Sequence, residues 1–287
     1  MQELEPPLEK CIEQQVRLAL EEDHAWNDAT SLAVVPATAM ASGRIVAKAS
    51  GVLAGRAYAE AAFQLCEAKG EYRWYYGDGD RVEPGNVVME CSGLARGLLA
   101  AERTALNFLQ QLSGVATLTA EAVVVGGELQ VKDTRKTTPG LRDAQKAAVS
   151  AGGGNNHRRD LEDQILLKEN HFALSGLAYG ETVEKAVASA NGKDVGAEAQ
   201  DLEEALLALA GGVTYVMLDN FERSTLADAI GKIRKQFPDA QIELSGGLKP
   251  EDLAQLSDWG VTRVSLGALT HSAPALDLSF LFDEPVS

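Results

Sequence analysis

Thr214-Tyr215-Val216-Met217-Leu218-Asp219 is a short apolar run that stops at one reactive residue. Five other runs in the second half of the chain have the same layout: Leu129–Lys132, Ile165–Leu167, Val195–Ala197, Gln241–Leu244 and Arg263–Leu266. From Lys168 onward the ends of these runs are separated by 21 to 30 residues, about one strand and one helix. The pattern therefore predicts six strands joined by helices.

The segments between these runs have the marks of helices. Leu202, Ala205, Leu206 and Leu209 form an apolar stripe, and Asp201 with Glu204 makes an N-terminal capping box. Strands that alternate with helices favour a parallel sheet. When every strand ends in a chemically capable residue, a β/α barrel with its site at the C-terminal mouth is the natural architecture. Six strand signals rather than eight predict an incomplete barrel, and a doubly wound open sheet is the structural alternative.

The N-terminal part has a different order of elements. A helix is predicted over residues 8–22, strands over Ser42–Leu53 and Tyr72–Cys91, and a second helix over Leu98–Leu112. This part, residues 1–114, is interpreted as one α/β domain, and residues 115–272 as the barrel domain. The last segment, 273–287, alternates apolar and polar residues near Leu276–Phe282 and is expected to return as a strand to the N-terminal sheet.

Composition narrows the class of protein. The chain has 287 residues and a formal net charge of −16, which argues against a nucleic-acid or anionic-membrane partner. No uninterrupted apolar stretch approaches 18 residues, so a membrane span is not expected. Cys11, Cys66 and Cys91 lack metal-ligand spacing and are interpreted as reduced thiols of a cytoplasmic protein.

A basic island interrupts this acidic chain. Residues 132–168 carry eight Lys or Arg and five acids, a local net charge of +3. Within it, Thr134, Arg135 and Lys136 follow the first strand of the second half, and His157 and Arg158 follow three glycines. A guanidinium matches a carboxylate or phosphate bidentately, whereas Lys acts as a point charge. The island therefore predicts a local anion site, in which the three glycines offer backbone amides.

Further reactive residues stand at later strand ends. Lys168 suits either a Schiff-base lysine or a plain cation for a carboxylate. Glu198 and Asp219 are candidates for a divalent metal bridged to phosphates, or for stabilising positive charge at a sugar carbon. Small residues mark the last two strand exits, where barrels commonly bind phosphate. They are Ser245, Gly246, Gly247 and Gly267.

These segments together resemble the signature segments of the quinolinate phosphoribosyltransferases. The likeness runs from about Glu21 to Ser272, in the same order, and Lys132-Asp133-Thr134-Arg135-Lys136-Thr137-Thr138-Pro139-Gly140 is its most specific part. The other matching segments are Glu102–Asn107, Gly152–Arg158, Ile165–His171, Met217–Phe221, Glu243–Leu248 and Gly267–Ser272.

The resemblance implies a fold and a reaction. The fold would be an open-faced α/β sandwich followed by an incomplete, seven-stranded β/α barrel. The enzyme, a pentosyltransferase of pyridine nucleotide and NAD biosynthesis, would convert quinolinate and phosphoribosyl pyrophosphate to nicotinate mononucleotide, pyrophosphate and CO2. The cofactor would be Mg²⁺, and the enzyme would be a homodimer or larger assembly.

The resemblance also implies roles for single residues. The two quinolinate carboxylates would be surrounded by Arg135, Lys136, His157, Arg158 and Lys168, and Thr134 would also contact substrate. Arg103 would come from the neighbouring subunit. Glu198 and Asp219 would hold the ribose and Mg²⁺, and Ser245, Gly246, Gly247 and Gly267 would bind the 5′-phosphate. Lys136, Lys168, Glu198 and Asp219 would take part in catalysis.

Two positions depart from the family pattern: Gly196 stands where an additional acid is common, and Asn27 replaces a glycine. Two other functions stay open. One is a paralogue of the same fold that acts on a different anionic aromatic acid. The other is a barrel lyase that uses Lys168 as a Schiff base, which borohydride trapping would reveal.

Overall fold

The computed structural model describes residues 6–67, 69–219, 221–248, 250–256 and 258–283. Asn220, part of one motif quoted above, lies outside these residues. The chain divides into two compact units. The first comprises Met1–Leu118, Thr138–Gly153 and Ala273–Ser287, and the second comprises Thr119–Thr137 and Gly154–Ser272.

The first unit holds five helices and six strands among the described residues. The helices are α1 (Pro6–Glu22), α2 (Ala29–Val34), α3 (Arg56–Cys66), most of α4 (Ala95–Gly126) and α5 (Arg142–Ala151). The strands are β1 (Met40–Ala47), β2 (Gly51–Val52), β3 (Glu71–Trp74), β4 (Arg81–Val82), β5 (Val87–Leu94) and β12 (Leu278–Phe282).

A four-stranded antiparallel sheet is the centre of this unit, in the order β12-β1-β5-β3. The C-terminal segment, whose alternation predicted a returning strand, forms β12 and pairs antiparallel with β1. Its buried residues, Leu278 and Phe280, face the core, and Phe280 packs 5.8 Å from the ring of Phe63 in α3. The last strand of the described chain thus completes the N-terminal sheet.

Helix α4 is longer than the sequence predicted. The prediction of 98–112 was wrong at both ends, because the apolar stripe continues through Val115, Ala116 and Ala122, all buried. By length and composition this helix is long enough to cross a membrane, although half of its most apolar window is buried inside the protein. Its Ser113 and Thr117 accept hydrogen bonds from backbone amides of the β2 region, as a core helix does.

Residues 138–153 group with the first unit, whereas the sequence-based division assigned 115–272 to one domain. The reason lies in the contacts of this segment: Gln15 of α1 donates a hydrogen bond to the carbonyl of Gly140. Helix α5 buries Ala144, Ala148 and Val149. The alternation of strands and helices in the sequence predicts the existence of α5. It does not predict which of the two units this helix packs on.

The second unit is built on six parallel strands: β6 (Gln130–Lys132), β7 (Ile165–Leu167), β8 (Val195–Ala199), β9 (Tyr215–Asp219), β10 (Ile242–Ser245) and β11 (Arg263–Ser265). All six match the predicted runs to within two residues, which confirms those strands. Between them lie helices α6 (Glu169–Ser175), α7 (Tyr179–Ala188), α8 (Leu202–Ala210) and α9 (Arg223–Gln236), and α10 (Ala268–His271) follows β11. A 3₁₀ helix covers Pro250–Gln255.

The strands of the second unit follow the order β6-β11-β10-β9-β8-β7, so the first strand pairs with the last. Among the described strands from β7 to β11, each strand pairs with the next one in the chain, without the change of side that a doubly wound sheet has at its centre. An isolated parallel bridge also joins Lys132 to Asn155, on a segment between β6 and β7. The chain is therefore an α/β protein with a parallel six-stranded sheet and a separate N-terminal sheet.

Candidate active site

A cavity of about 670 Å³ opens at the carboxyl ends of the parallel strands. Eleven of the thirteen residues predicted from the sequence line it: Thr134, Arg135, Lys136, His157, Arg158, Lys168, Glu198, Asp219, Ser245, Gly246 and Gly247. Leu166, Met217 and Ser265 complete the lining. Residues that are up to 131 positions apart in sequence are thereby brought to one place, as expected for strand ends of a parallel sheet.

Strand register explains why the polar residues meet. In β9 and β10, Asp219 is the register partner of Ser245, and one pair lower Leu218 faces Leu244. Side chains alternate between the two faces of a strand. Met217 and Asp219 therefore share the cavity face of β9, and Glu198 of β8, whose register partner is Met217, projects on the same side.

Two guanidiniums form the basic wall of the cavity. Arg158 is buried, and this burial, together with the nearby charge of Arg135, lowers its pKa from the ordinary arginine value. The Nε of Arg135 is also buried, and it has no hydrogen-bond partner among the described residues. A buried donor without a partner costs free energy, and an anionic ligand that accepts from it would recover that cost.

Lys136 belongs to the same wall and is held by its backbone. Its amide donates to Thr134 Oγ1 at 3.0 Å, and its carbonyl accepts from Thr270 Oγ1 at 2.8 Å. Gly267 backs its side chain, since a Cβ built at Gly267 would lie 3.0 Å from Lys136 Cδ. Gly267 itself is not among the lining residues of the cavity.

Lys168 and Glu198 form an ion pair at the cavity. The Glu198 side chain is only 11% exposed, whereas that of Lys168 is 44% exposed. Tyr179 donates a hydrogen bond of 2.8 Å to the carbonyl of Glu198, which fixes this strand end against α7. The pair therefore joins the basic wall to the acidic side of the cavity.

The exit of β10 requires glycine. Gly246 has φ 96° and Gly247 has φ 61°, in the left-handed region that side chains with a Cβ rarely adopt. This turn directs the backbone after Ser245 along the rim of the cavity. The Gly-Gly signal in the sequence thus reflects a real backbone constraint.

Two predicted features lie elsewhere. Arg103, on α4 in the first unit, lines a separate cavity of about 290 Å³ with Glu22, Asp23 and Asn107. The expectation that the three glycines at 152–154 present amides to the anion was wrong for Gly152, whose amide donates to Ala148 O at 3.0 Å and ends α5. Gly152 therefore belongs to the end of α5.

Sequence reasoning missed the residues beneath the cavity. Glu243 is fully buried, accepts a hydrogen bond from Ser265, and lies 3.4 Å from His157 Nε2. Tyr215 is also buried, with its ring against Leu166 and Met217. The available signal was the period of two in β9 and β10, which puts Tyr215 and Glu243 on the same face as Asp219 and Ser245.

Glu198 and Asp219 offer carboxylate oxygens to the cavity. The described residues contain no group of three or more His, Cys, Asp or Glu side chains that could enclose a metal. Two carboxylates fit Mg²⁺, which keeps several waters and is commonly shared with substrate phosphates rather than caged by protein.

Comparison with known proteins assigns the chain to a family. The model described as "Quinolinate phosphoribosyl transferase, C-terminal domain" matches residues 115–281, and the corresponding N-terminal model matches residues 28–113. The chain belongs to the quinolinate phosphoribosyltransferase family. The resemblance stated from the motifs is thereby confirmed.

Individual relatives cover most of the chain. A Bacillus subtilis protein named probable nicotinate-nucleotide pyrophosphorylase (carboxylating) is 40% identical over 238 residues, 82% of this chain and 81% of its own length. A mitochondrial quinolinate phosphoribosyltransferase (decarboxylating) of Nicotiana tabacum is 34% identical and covers 98% of this chain and 85% of its own. The crystal structure of NadC from Streptococcus pyogenes superposes with a TM-score of 0.89 at 38% identity, over 99% of this chain and all of that one.

Proposed function

We propose that this member of the quinolinate phosphoribosyltransferase family transfers a phosphoribosyl group from phosphoribosyl pyrophosphate to quinolinate, with loss of CO2, to give nicotinate mononucleotide in NAD biosynthesis. The observation that carries the proposal is the cavity, whose lining brings four cationic side chains together with two carboxylates: Arg135, Lys136, Arg158, Lys168, Glu198 and Asp219. The names of the relatives, with their high coverage of this chain, support the same reaction.

Quinolinate would bind to the basic wall through its two carboxylates. The buried Arg158 and the unpartnered Nε of Arg135 offer directional donors, and Lys136 and Lys168 add positive charge. A monocarboxylate would leave part of this buried positive charge without a counterion. The wall therefore favours a dicarboxylate over other anionic aromatic acids.

The phosphoribosyl donor would occupy the acidic side. Glu198 and Asp219 would bind the ribose hydroxyls and Mg²⁺, directly or through water, and Thr134 would contact substrate near Lys136. Ser245, Gly246, Gly247 and Gly267 would receive the 5′-phosphate at the ends of β10 and β11. When bound, Mg²⁺ would neutralise the departing pyrophosphate.

In the proposed reaction, the lone pair of the pyridine nitrogen forms a bond to C1′ while the C1′–oxygen bond breaks toward pyrophosphate. The nearby carboxylates stabilise the positive charge that develops at C1′. The quaternised ring then releases the adjacent carboxylate as CO2, and the electron pair left on the ring carbon takes up a proton. Holding the two substrates in reactive orientation can contribute roughly 7–11 kcal/mol to lowering the barrier.

We also infer that the parallel sheet is the greater part of an incomplete, seven-stranded β/α barrel. Two observations support this: β6 pairs with β11, the last strand of the set, and Asn155 bridges to Lys132 on the open side of β6. The segment at Asn155 would then take the place of the seventh strand, between β6 and β7. The domain expected over 115–272 would correspond to this barrel, without the α5 segment.

The assembly proposed is a homodimer or larger, in which Arg103 reaches the cavity of the neighbouring subunit. Arg103 lies on the polar face of α4 and lines its own cavity with Asn107.

Cys11 and Cys66 are half-buried, Cys91 is buried, and all three are free thiols, which supports a reducing compartment such as the cytoplasm.

One assay tests the reaction. Purified protein with Mg²⁺, phosphoribosyl pyrophosphate and quinolinate should release equal amounts of CO2, pyrophosphate and nicotinate mononucleotide. Nicotinate and other pyridine dicarboxylates in parallel reactions measure selectivity. Turnover of a different aromatic acid in preference to quinolinate would contradict the proposal and support the paralogue.

Lys168 distinguishes a carboxylate clamp from a lyase nucleophile. Lys168→Ala should raise the KM for quinolinate far more than the KM for phosphoribosyl pyrophosphate, because its ammonium lies on the basic wall beside Glu198. Equal losses for both substrates would contradict this role. Borohydride trapping of a substrate on Lys168, without release of pyrophosphate, would instead establish Schiff-base chemistry.

A further inference from the structure

Beneath the cavity, the hydroxyl of Tyr215 joins two hydrogen-bonded branches that both lead to Arg158. Tyr215 is 1% exposed, and its Oη lies 3.3 Å from His157 Nε2 and 3.2 Å from Gln164 Oε1. Burial, and to a lesser extent the charge of Glu243, raises the pKa of Tyr215 above the ordinary tyrosine value. The hydroxyl therefore stays protonated and remains a donor.

The first branch has a defined direction. The amide of Arg158 donates to His157 Nδ1 at 2.7 Å, so Nδ1 holds the lone pair and a neutral imidazole carries its proton on Nε2. That Nε2–H points toward Tyr215 Oη and toward Glu243 Oε1, which is 3.4 Å away. Both ring nitrogens of His157 are thus used inside the protein.

The second branch returns to the same arginine. Tyr215 Oη–H donates to Gln164 Oε1, and the backbone carbonyl of the same residue accepts from Nη1 of Arg158 at 3.3 Å. The amide of Arg158 is therefore held by the His157 ring, and its guanidinium by the backbone of Gln164, whose side chain Tyr215 anchors. Every donor in this ring of contacts has an acceptor, which is the condition for a stable buried polar network.

Two further residues fix the tyrosine ring. The guanidinium carbon of Arg263 lies 4.7 Å from the ring centroid. On the neighbouring strand, a Cβ at Gly196 would lie 2.2 Å from Tyr215 Cζ, so the ring fills the space in which a side chain at 196 would stand. Gly196 is thus matched to Tyr215 in this chain.

We propose that Tyr215 is a positioning residue for substrate recognition, which holds Arg158 in the carboxylate clamp through His157 and Gln164. His157 then acts by orienting Arg158 rather than by donating to the substrate carboxylate. The inference rests on the proposed binding of a dicarboxylate by Arg158. Tyr215, together with Gly196 beside its ring, would thereby influence the affinity of Arg158 for the substrate carboxylate.

The test is Tyr215→Phe, which keeps the ring and removes only the hydroxyl. The KM for quinolinate should rise about fivefold to tenfold, the loss of roughly one hydrogen bond, while the KM for phosphoribosyl pyrophosphate stays within about twofold. Gln164→Met, which removes the other acceptor, should act in the same direction. Because both changes break one network, the double variant should lose less than the product of the two single effects.

Tyr72→Phe is the matched control, because Tyr72 donates its hydroxyl to the carbonyl of Glu67 at 2.6 Å in the first unit. It should leave both KM values unchanged. Equal rises in both KM values, or independent effects of the Tyr215 and Gln164 changes, would overturn the positioning role.

A spectroscopic measurement tests the inference without catalysis. ¹⁵N-resolved NMR of the histidine rings, with His157→Gln to assign the signal, should show the neutral Nε2–H tautomer for His157. An Nδ1–H tautomer would overturn the proposed direction of the network even in an active enzyme. Absence of quinolinate turnover in the unaltered protein, with the Nε2–H tautomer present, would instead contradict only the proposed function.

Discussion

Gly196→Ala should destabilise the protein strongly, because the new methyl group would be placed into the ring of Tyr215. The clash is not with a flexible chain end: the added Cβ would lie 2.2 Å from Cζ and 2.5 Å from Oη of a side chain that is 1% exposed. Displacing the ring costs about 1–3 kcal/mol for overpacking. Loss of the desolvated contact with Arg263 adds about 1–2 kcal/mol.

The expected loss of unfolding free energy is therefore about 2–5 kcal/mol. For a chain of this size it lowers the Tm by roughly 3–8 °C. Thermal and urea unfolding, followed by circular dichroism, measure both quantities. Gly231→Ala is the control, since a Cβ there meets nothing within 4 Å and the residue lies inside α9, where Ala is favoured by roughly 1 kcal/mol.

Removing the ring should relieve the clash. Tyr215→Val alone destabilises by creating a cavity, but adding Gly196→Ala to it should cost at least about 1 kcal/mol less than Gly196→Ala in the unaltered protein. A Gly196→Ala protein that melts at or above the temperature of the Gly231→Ala control would refute the close contact between residues 196 and 215.

Three other predictions concern the assembly, the metal and the thiols. Arg103→Ala and Arg135→Ala should each abolish activity, and subunit exchange between the two should restore part of it in hybrid dimers; no recovery in exchanged mixtures would exclude a shared site. Asp219→Asn should raise the Mg²⁺ concentration for half-maximal rate about tenfold and leave the Kd for quinolinate within about twofold; an equal loss of quinolinate binding would contradict the assignment. Burial raises the pKa of Cys66 to about 11 and of Cys91 to about 12, so the reactive thiolate forms only as the pH rises toward those values. Both thiols should resist iodoacetamide at pH 8 in the folded protein and react in urea, as read by mass spectrometry; rapid labelling of the folded protein would contradict their burial.

The parallel strands were predictable because their signal is local. A run such as Ile165–Leu167 is both apolar and followed by a polar terminus, and the structure places β7 on those residues. Helix α4 was not delimited, and a glycine such as Gly114 can either end a helix or lie inside one. In the structure a Cβ at Gly114 would lie 2.0 Å from the carbonyl oxygen of Pro274, so the glycine serves close packing inside a continuous helix. Sequence alone does not distinguish these two uses of glycine.

The cavity residues were predictable for a similar reason, since most of them end a strand or follow one. The layer below was not, because Tyr215 and Glu243 are read as ordinary strand residues until the register puts them under His157. The network also depends on Gly196, because the Tyr215 ring fills the space that a side chain at position 196 would occupy. The sequence shows the glycine but does not show which residue fills that space. Such coupling across strands is a property of packing rather than of any motif.

The position of β12 has a consequence for biosynthesis. Arg44 of the N-terminal sheet forms an ion pair with Asp283, 239 residues further along the chain, beside the β1–β12 pairing. During translation, β1 keeps an open edge until the whole of the second unit, which ends at Ser272, has been made. Contacts at such long sequence separation form slowly, and an unpaired strand edge invites association with other nascent chains. Binding by a chaperone is therefore most useful to this protein before its final strand emerges from the ribosome.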